Sequence, residues 1–188
     1  MRILYRMRQF WLALNAAPDV QDLAAAAEVL SPAQMAVFQQ MQSSEQAHSL
    51  WVFRQLRQRL AEQDLEAQHD LLVAALLHDV GKSRHPLRLW ERVVIVLGKA
   101  FFPQQVYQWG LQSPVGWKRP FVIATQHPAW GAEMAAQVGA SPLAVMLVRR
   151  HQDDLDTVVA GEELALEDQN ERVLFKLLRL LQRFDEER

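Results

Sequence analysis

Apolar residues recur along most of the chain at intervals of three and four, the period of helices with one face in a core. With the punctuation between them, these runs predict helices over roughly 3–15, 19–29, 32–42, 44–62, 65–80, 86–100, 103–110, 118–125, 128–138, 142–153 and 169–186. Ser31-Pro32 and Ser141-Pro142 each read as an N-cap with proline at the first helical position. Asp168 and Glu171 have the spacing of a capping box, and Gly139 sits where a glycine ends a helix. There is no alternating strand pattern and no hairpin signal, so the expected fold class is all-α.

One run departs from the one-faced pattern. Leu71, Leu72, Ala74, Ala75, Leu76 and Leu77 are apolar almost all the way round, the mark of a helix in the middle of a core, and the run continues into His78-Asp79-Val80-Gly81-Lys82. Burying an imidazole and a carboxylate there costs several kcal/mol unless both are paired or bind a metal. Gly81 is expected to supply a left-handed stop, with Lys82 as a cation at the mouth of a site.

Other ionisable residues interrupt apolar stripes. His48, Val52 and Leu56 fall at i, i+4 and i+8, and Leu143, Leu147 and His151 repeat that spacing. Leu174, Leu178, Leu181 and Asp185 share a face of the last helix, where a carboxylate replaces the next apolar residue. His127 precedes Pro128, which predicts an extended residue at the entry of the next helix with its side chain free to enter a pocket. A single histidine on an apolar face is more often hydrogen-bonded core than ligand. Six such groups on separate helices would strongly destabilise one interior unless shared ions satisfied them. Asp153, Asp154 and Asp156 compete with Asp185, but they lie in a polar run that reads as a solvated helix end.

Composition narrows the chemistry. The 188 residues are half apolar, enough for a core and in keeping with one domain. A net charge of −2 offers no field to hold a polyanion, so no stable nucleic-acid binding is expected. With no cysteine, any metal must be held by nitrogen and oxygen. Met1 to Leu14 mixes Arg2, Arg6 and Arg8 with Phe10, Trp11, Leu12 and Leu14 and reads as an amphipathic helix rather than a secretory signal. The apolar stretch Val93 to Phe102 is broken by Gly98 and Lys99 and is too short to span a bilayer. The protein is expected to be soluble and cytoplasmic, without a membrane partner.

The order His48, His78-Asp79, His127, His151, Asp185, with His78-Asp79-Val80-Gly81-Lys82 at its heart, resembles the HD superfamily of metal-dependent phosphohydrolases. It is most similar to the branch with two extra histidines between the HD pair and the last aspartate, which includes the HD-GYP cyclic-di-GMP phosphodiesterases, the cyclic-di-AMP hydrolases and the HD-type diadenosine tetraphosphate hydrolases. The Gly-Tyr-Pro signature is missing here. The resemblance implies an HD core over 44–186, N-terminal helices 1–43 packed on it, and a helical insertion over 86–126 that is rich in tryptophan. It also implies that His48, His78, Asp79 and Asp185 hold one divalent ion, and that His127 and His151 hold a second, bridged by Asp79.

Such a site hydrolyses phosphoesters, because two cations neutralise the phosphate oxygens and acidify water. Imidazole and carboxylate ligands suit iron or manganese first, with zinc, nickel, cobalt or magnesium also open. Asp79 and Lys82 are the expected catalytic residues. Lys82, Arg84 and Arg150 are expected to contact a small phosphorylated substrate such as a nucleotide, with Arg149 a further contact. Lys82 reads equally as a solvated lysine at a helix end, and surface arginines are common. Of the tryptophans, Trp51, Trp90, Trp109, Trp117 and Trp130 include candidates to stack on a base. Two rival readings share the same residues: a metal-containing nucleotide sensor that turns nothing over, and a scaffold whose polar core is a relic.

Overall fold

A computed structural model describes residues 17–60, 65–155 and 169–186. Among these, every regular element is helical. The predicted helix over 3–15 and the capping residue Asp168 lie outside the described residues.

The N-terminal helices begin where their side chains can cap them. Asp19 accepts hydrogen bonds from the amides of Gln21 and Asp22 and opens α1 (Val20–Val29). Ser31 and Gln34 form a reciprocal capping box that opens α2 (Pro32–Phe38), with Pro32 in the first turn. α2 is shorter than predicted, because Gln40 and Met41 donate to Val37 and Phe38 in tight i to i−3 turns that lead into α3 (Ser43–Leu60).

α4 (Leu65–Leu77) is the centre of the core, with Leu71, Ala74, Ala75, Leu76 and Leu77 fully buried. Burying each leucine contributes about 1.5–3 kcal/mol. Helices α1 and α3 pack on α4, as do α8 (Pro142–Arg150) and α9 (Gln169–Glu186). α8 starts at Ser141, whose hydroxyl caps the Ala144 amide.

Three expectations change. First, α4 stops at Leu77 rather than residue 80, and Val80–Arg84 forms a 3-10 turn. Second, Gly81 is not a left-handed stop: among the described residues the glycines with positive φ are Gly116 and Gly139. What Gly81 provides is room, since a Cβ there would lie 2.0 Å from the His127 carbonyl oxygen and 2.6 Å from the Gly131 amide nitrogen. The missing side chain lets the 3-10 turn lie against the backbone of α7 (Arg119–Gln137). Gly139, at φ 76°, does end α7 as expected.

Third, α7 runs unbroken through Pro128 where two helices were expected, so His127 is helical rather than extended. Proline removes one amide donor and crowds the preceding residue, which favours a break. Burial on both sides of it, by Phe121, Val122 and Ile123 before and Ala132 and Ala135 after, holds one rod together.

Residues 86–126 form α5 (Leu89–Phe101), α6 (Pro103–Gly110), a short 3-10 turn at Gly116–Lys118 and the start of α7. α5 and α6 pack on α7 and on each other. No helix among the described residues is long and apolar enough to cross a membrane.

Candidate metal centre

The end of α4 delivers His78 and Asp79 to the point where α3, α7, α8 and α9 converge. Two groups form there. His48 from α3, His78 and Asp185 from α9 present ligand atoms within 4.8 Å of one another, and so do Asp79, His127 from α7 and His151 at the end of α8. The rings of His48 and His151 flank that of His78, at centroid distances of 5.4 and 5.1 Å, and His127 stands 5.2 Å from His151.

Each buried imidazole is oriented by its own helix. His78 Nδ1 donates to the Ala75 carbonyl at 2.9 Å, His127 Nδ1 to Ile123 at 3.0 Å and His151 Nδ1 to Val148 at 2.8 Å. A carbonyl can only accept, so Nδ1 carries the proton and Nε2 points into the cluster. All three Nε2 atoms are buried without a hydrogen-bond partner. The closest carboxylate oxygens, Asp185 Oδ1 to His78 and Asp79 Oδ1 to His127, stand at 3.3 Å without hydrogen-bond alignment. His48 differs: its Nε2 meets Asp185 Oδ1 at 2.7 Å.

Asp79 sits between the groups. Its carboxylate is 3.7 Å from His78 Nε2, and Lys82 Nζ lies 2.7 Å from each of its oxygens. Burial alone would raise the Asp79 pKa, but Lys82, His78 and His127 hold it well below the usual carboxylate range. Burial likewise opposes the charged form of His78, yet Asp79 and Asp185 lift its pKa to about 9. His151 is pushed down to about 3 by burial and by His78 and His127. Asp185 is held far below its ordinary value, chiefly by His78 and His48 against the effect of burial.

Two carboxylates thus sit among four imidazoles, three of which aim an orphaned buried nitrogen at them. Buried nitrogens fixed through their opposite edge by backbone carbonyls are the usual state of metal-ligating histidines. This donor set fits divalent cations.

A cavity of about 340 Å³ opens over the cluster. His48, Asp79, Lys82, His127 and Asp185 line it, together with Leu87, Ile95 and Val96. Arg92 and Lys99 project into it from α5, with Glu45, Ser44 and Gln152 also at its edge. Arg92 is anchored to Glu45 at 2.8 Å and to Gln42 at 2.7 Å. Burial raises the Glu45 pKa, with Lys82 and Arg92 pulling the other way. Burial and the nearby Lys82 lower that of Lys99.

Lys82 lies where the sequence reading expects it, but the two arginines do not. Arg84 pairs with Glu133 at 2.9 Å, and Arg150 pairs with Asp153 at 2.7 Å and stacks on Phe175; neither lines the cavity. Arg149 is exposed elsewhere. Among the described residues no tryptophan lines the cavity, and Trp130 packs against His85 instead. Of the competing acids, Asp153 is engaged by Arg150, Asp154 is exposed, and Asp156 lies outside the described residues. Glu45, Arg92 and Lys99 were not singled out from sequence. The signal was there: Arg92 and Lys99 are seven residues apart, two turns along one face of a helix, with Ile95 and Val96 between them.

The HD domain family model matches residues 46–186, from just before His48 to just beyond Asp185. No curated protein and no solved structure matches the chain. The match covers most of the sequence and contains all six converging residues, so the chain belongs to the HD domain family, a superfamily of metal-dependent phosphohydrolases.

Proposed function

We propose that the protein hydrolyses a phosphoester of a small nucleotide or related phosphate compound, using two divalent ions. The observation that carries this reading is the set of three orphaned Nε2 atoms aimed at Asp79 and Asp185 on the floor of a cavity. His48, His78 and Asp185 would hold one ion and Asp79, His127 and His151 the other, with the second oxygen of Asp79 reaching toward the first group. Ions held this way neutralise phosphate oxygens and lower the pKa of water, and iron or manganese suits the ligands best.

The remaining roles fall to the chain itself. Lys82, with its ammonium at the cavity edge, can shift from Asp79 to a phosphate oxygen and offset charge that grows in the transition state. Arg92 and Lys99 add positive charge to the lining, while Leu87, Ile95 and Val96 cover the apolar part of a substrate. A volume near 340 Å³ falls at the small end of small-molecule sites, which span about 300–1,000 Å³.

The test is metal analysis of the purified protein with a panel of nucleotides and a chromogenic phosphodiester. Turnover should need bound metal and vanish in Asp79→Ala. Turnover that survives complete metal removal would sink the proposal. Tight nucleotide binding by metal-loaded protein without hydrolysis of any panel member would favour the sensor reading instead.

A further inference from the structure

The segment that walls the cavity turns its apolar side outward. In α5, Leu89, Val93, Val96, Leu97 and Phe101 fall at i, i+4, i+7, i+8 and i+12, a single helical stripe. All five are exposed, Phe101 by 71 %. The buried residues of the same helix, Glu91 and Gly98, lie on its opposite side. Further along, Tyr107, Leu111 and Trp117 are exposed by 64, 61 and 61 %. Phe102 and Trp117 both pack on Trp109, at ring distances of 6.4 and 5.0 Å, which joins the end of α5 to the turn before α7 in one surface. Eleven of the fourteen large exposed hydrophobics among the described residues lie between Leu89 and Trp117. Scattered apolar residues need no explanation, but a concentration of this kind marks a contact surface.

Charge identifies what it contacts. Residues 82–119 hold seven of the chain's 20 basic residues and one of its 22 acidic ones. That acid, Glu91, is buried and paired with Arg119, so the outward face carries no carboxylate. Lys82, Arg84, Arg92 and Arg119 are paired with Asp79, Glu133, Glu45 and Glu91, which leaves Arg88, Lys99 and Lys118 to set the charge of the face. The rest of the chain is net acidic. A second copy of this face would bring like charges together. Residues 1–16, with three arginines and no acid, have the same sign, and residues 156–168, with five acids and no base, bring only four large apolar residues against the eleven exposed here. An anionic lipid surface matches both features: headgroup charge for Arg88, Lys99 and Lys118, and the acyl boundary for the stripe, with tryptophan and tyrosine at the depth they favour.

We propose that the α5–α6 face docks the protein on membrane surfaces that carry anionic lipids, lying on the bilayer rather than crossing it. This departs from the sequence expectation of no membrane partner, which rests on span length and is silent on a helix lying in the interface. Val96 and Lys99 belong both to this face and to the cavity lining, so a docked molecule presents its cavity beside the headgroups. The inference does not depend on the hydrolytic reading.

Flotation of the full chain with vesicles tests it, using phosphatidylcholine alone or mixed with an equal part of phosphatidylglycerol. The protein should float with the anionic vesicles, less so as salt rises, and remain behind with the neutral ones. Leu97→Glu/Phe101→Glu, with unchanged helicity and melting temperature, should abolish flotation. Lys118→Gln should weaken it roughly fivefold. Met146→Glu, at an exposed apolar position outside the face, should leave it intact. The proposal fails if the wild type stays soluble with anionic vesicles at low salt, or if the double variant floats equally well. It also fails if the double variant dissolves a dimer seen in solution, because the occupant is then a second copy.

Discussion

A buried imidazole has two nitrogens to satisfy, and His78, His127 and His151 satisfy one each within their own helical turn. The other nitrogen then has a fixed direction, into the cluster, which is what a shared cation requires. Asp79→Asn keeps the shape of that carboxylate and removes its charge; metal content measured by plasma emission should fall at least tenfold, the scale on which even outer-shell partners act. Gly81 carries a different constraint. Gly81→Ala forces a methyl onto the α7 backbone and should lower stability by more than about 3 kcal/mol in urea titration, with loss of metal. Gly139→Ala meets no atoms within 4 Å and suffers only from its positive φ, so it should cost about 1 kcal/mol and leave metal content unchanged. Equal effects of the two substitutions would disprove the packing account of Gly81.

At the scale of elements, α5 is tied to α3 by one buried pair. Glu45 is 2 % exposed and meets Arg92 at 2.8 Å, and the same carboxylate group caps the Gln42 amide at the start of α3. Arg92→Ala strands that carboxylate and should cost about 3–5 kcal/mol at neutral pH, as breaking buried pairs does. Burial raises the Glu45 pKa in the folded protein. A group raised on folding favours the folded state below its unfolded pKa, and that advantage disappears as pH rises through the folded value. The deficit of Arg92→Ala should therefore shrink as pH falls from 7 towards 4.5, read from paired urea titrations, and Glu45→Gln added to it should flatten the profile. A deficit independent of pH would mean that Glu45 is not the stranded group.

On the scale of the whole molecule, the six converging residues come from α3, the turn that ends α4, α7, the end of α8, and α9, so a pair of cations there would together clamp five helices. A ligand that binds only the folded chain stabilises it by about 2.7 kcal/mol at a hundredfold excess over its dissociation constant. For a chain of this length, chelation should then lower the melting temperature by roughly 5–10 °C, and restoring the ion should reverse it. An unchanged melting curve after chelation, with metal loss verified, would return the cluster to the status of a polar core without an ion. The apolar face of α5 and α6 belongs to this scale too, because it has meaning only as a surface of the assembled fold.

Local pattern alone determined the helical class, most helix positions, the burial of α4 and the six residues that meet, since each depends on periodicity or on a polar residue placed where an apolar one belongs. Asp185 was distinguishable from Asp153 and Asp154 for that reason: it continues a leucine stripe, and they do not. Tertiary structure decided what depends on neighbours distant in sequence. It kept α7 whole across Pro128, because burial on both sides outweighs one lost hydrogen bond. It made Gly81 a matter of space, drew Arg84 and Arg150 away to Glu133 and Asp153, and brought Arg92 and Lys99 to the cavity. It also turned the stripe of α5 outward: periodicity shows that a helix has an apolar side, and only packing against the rest of the chain settles which way that side faces.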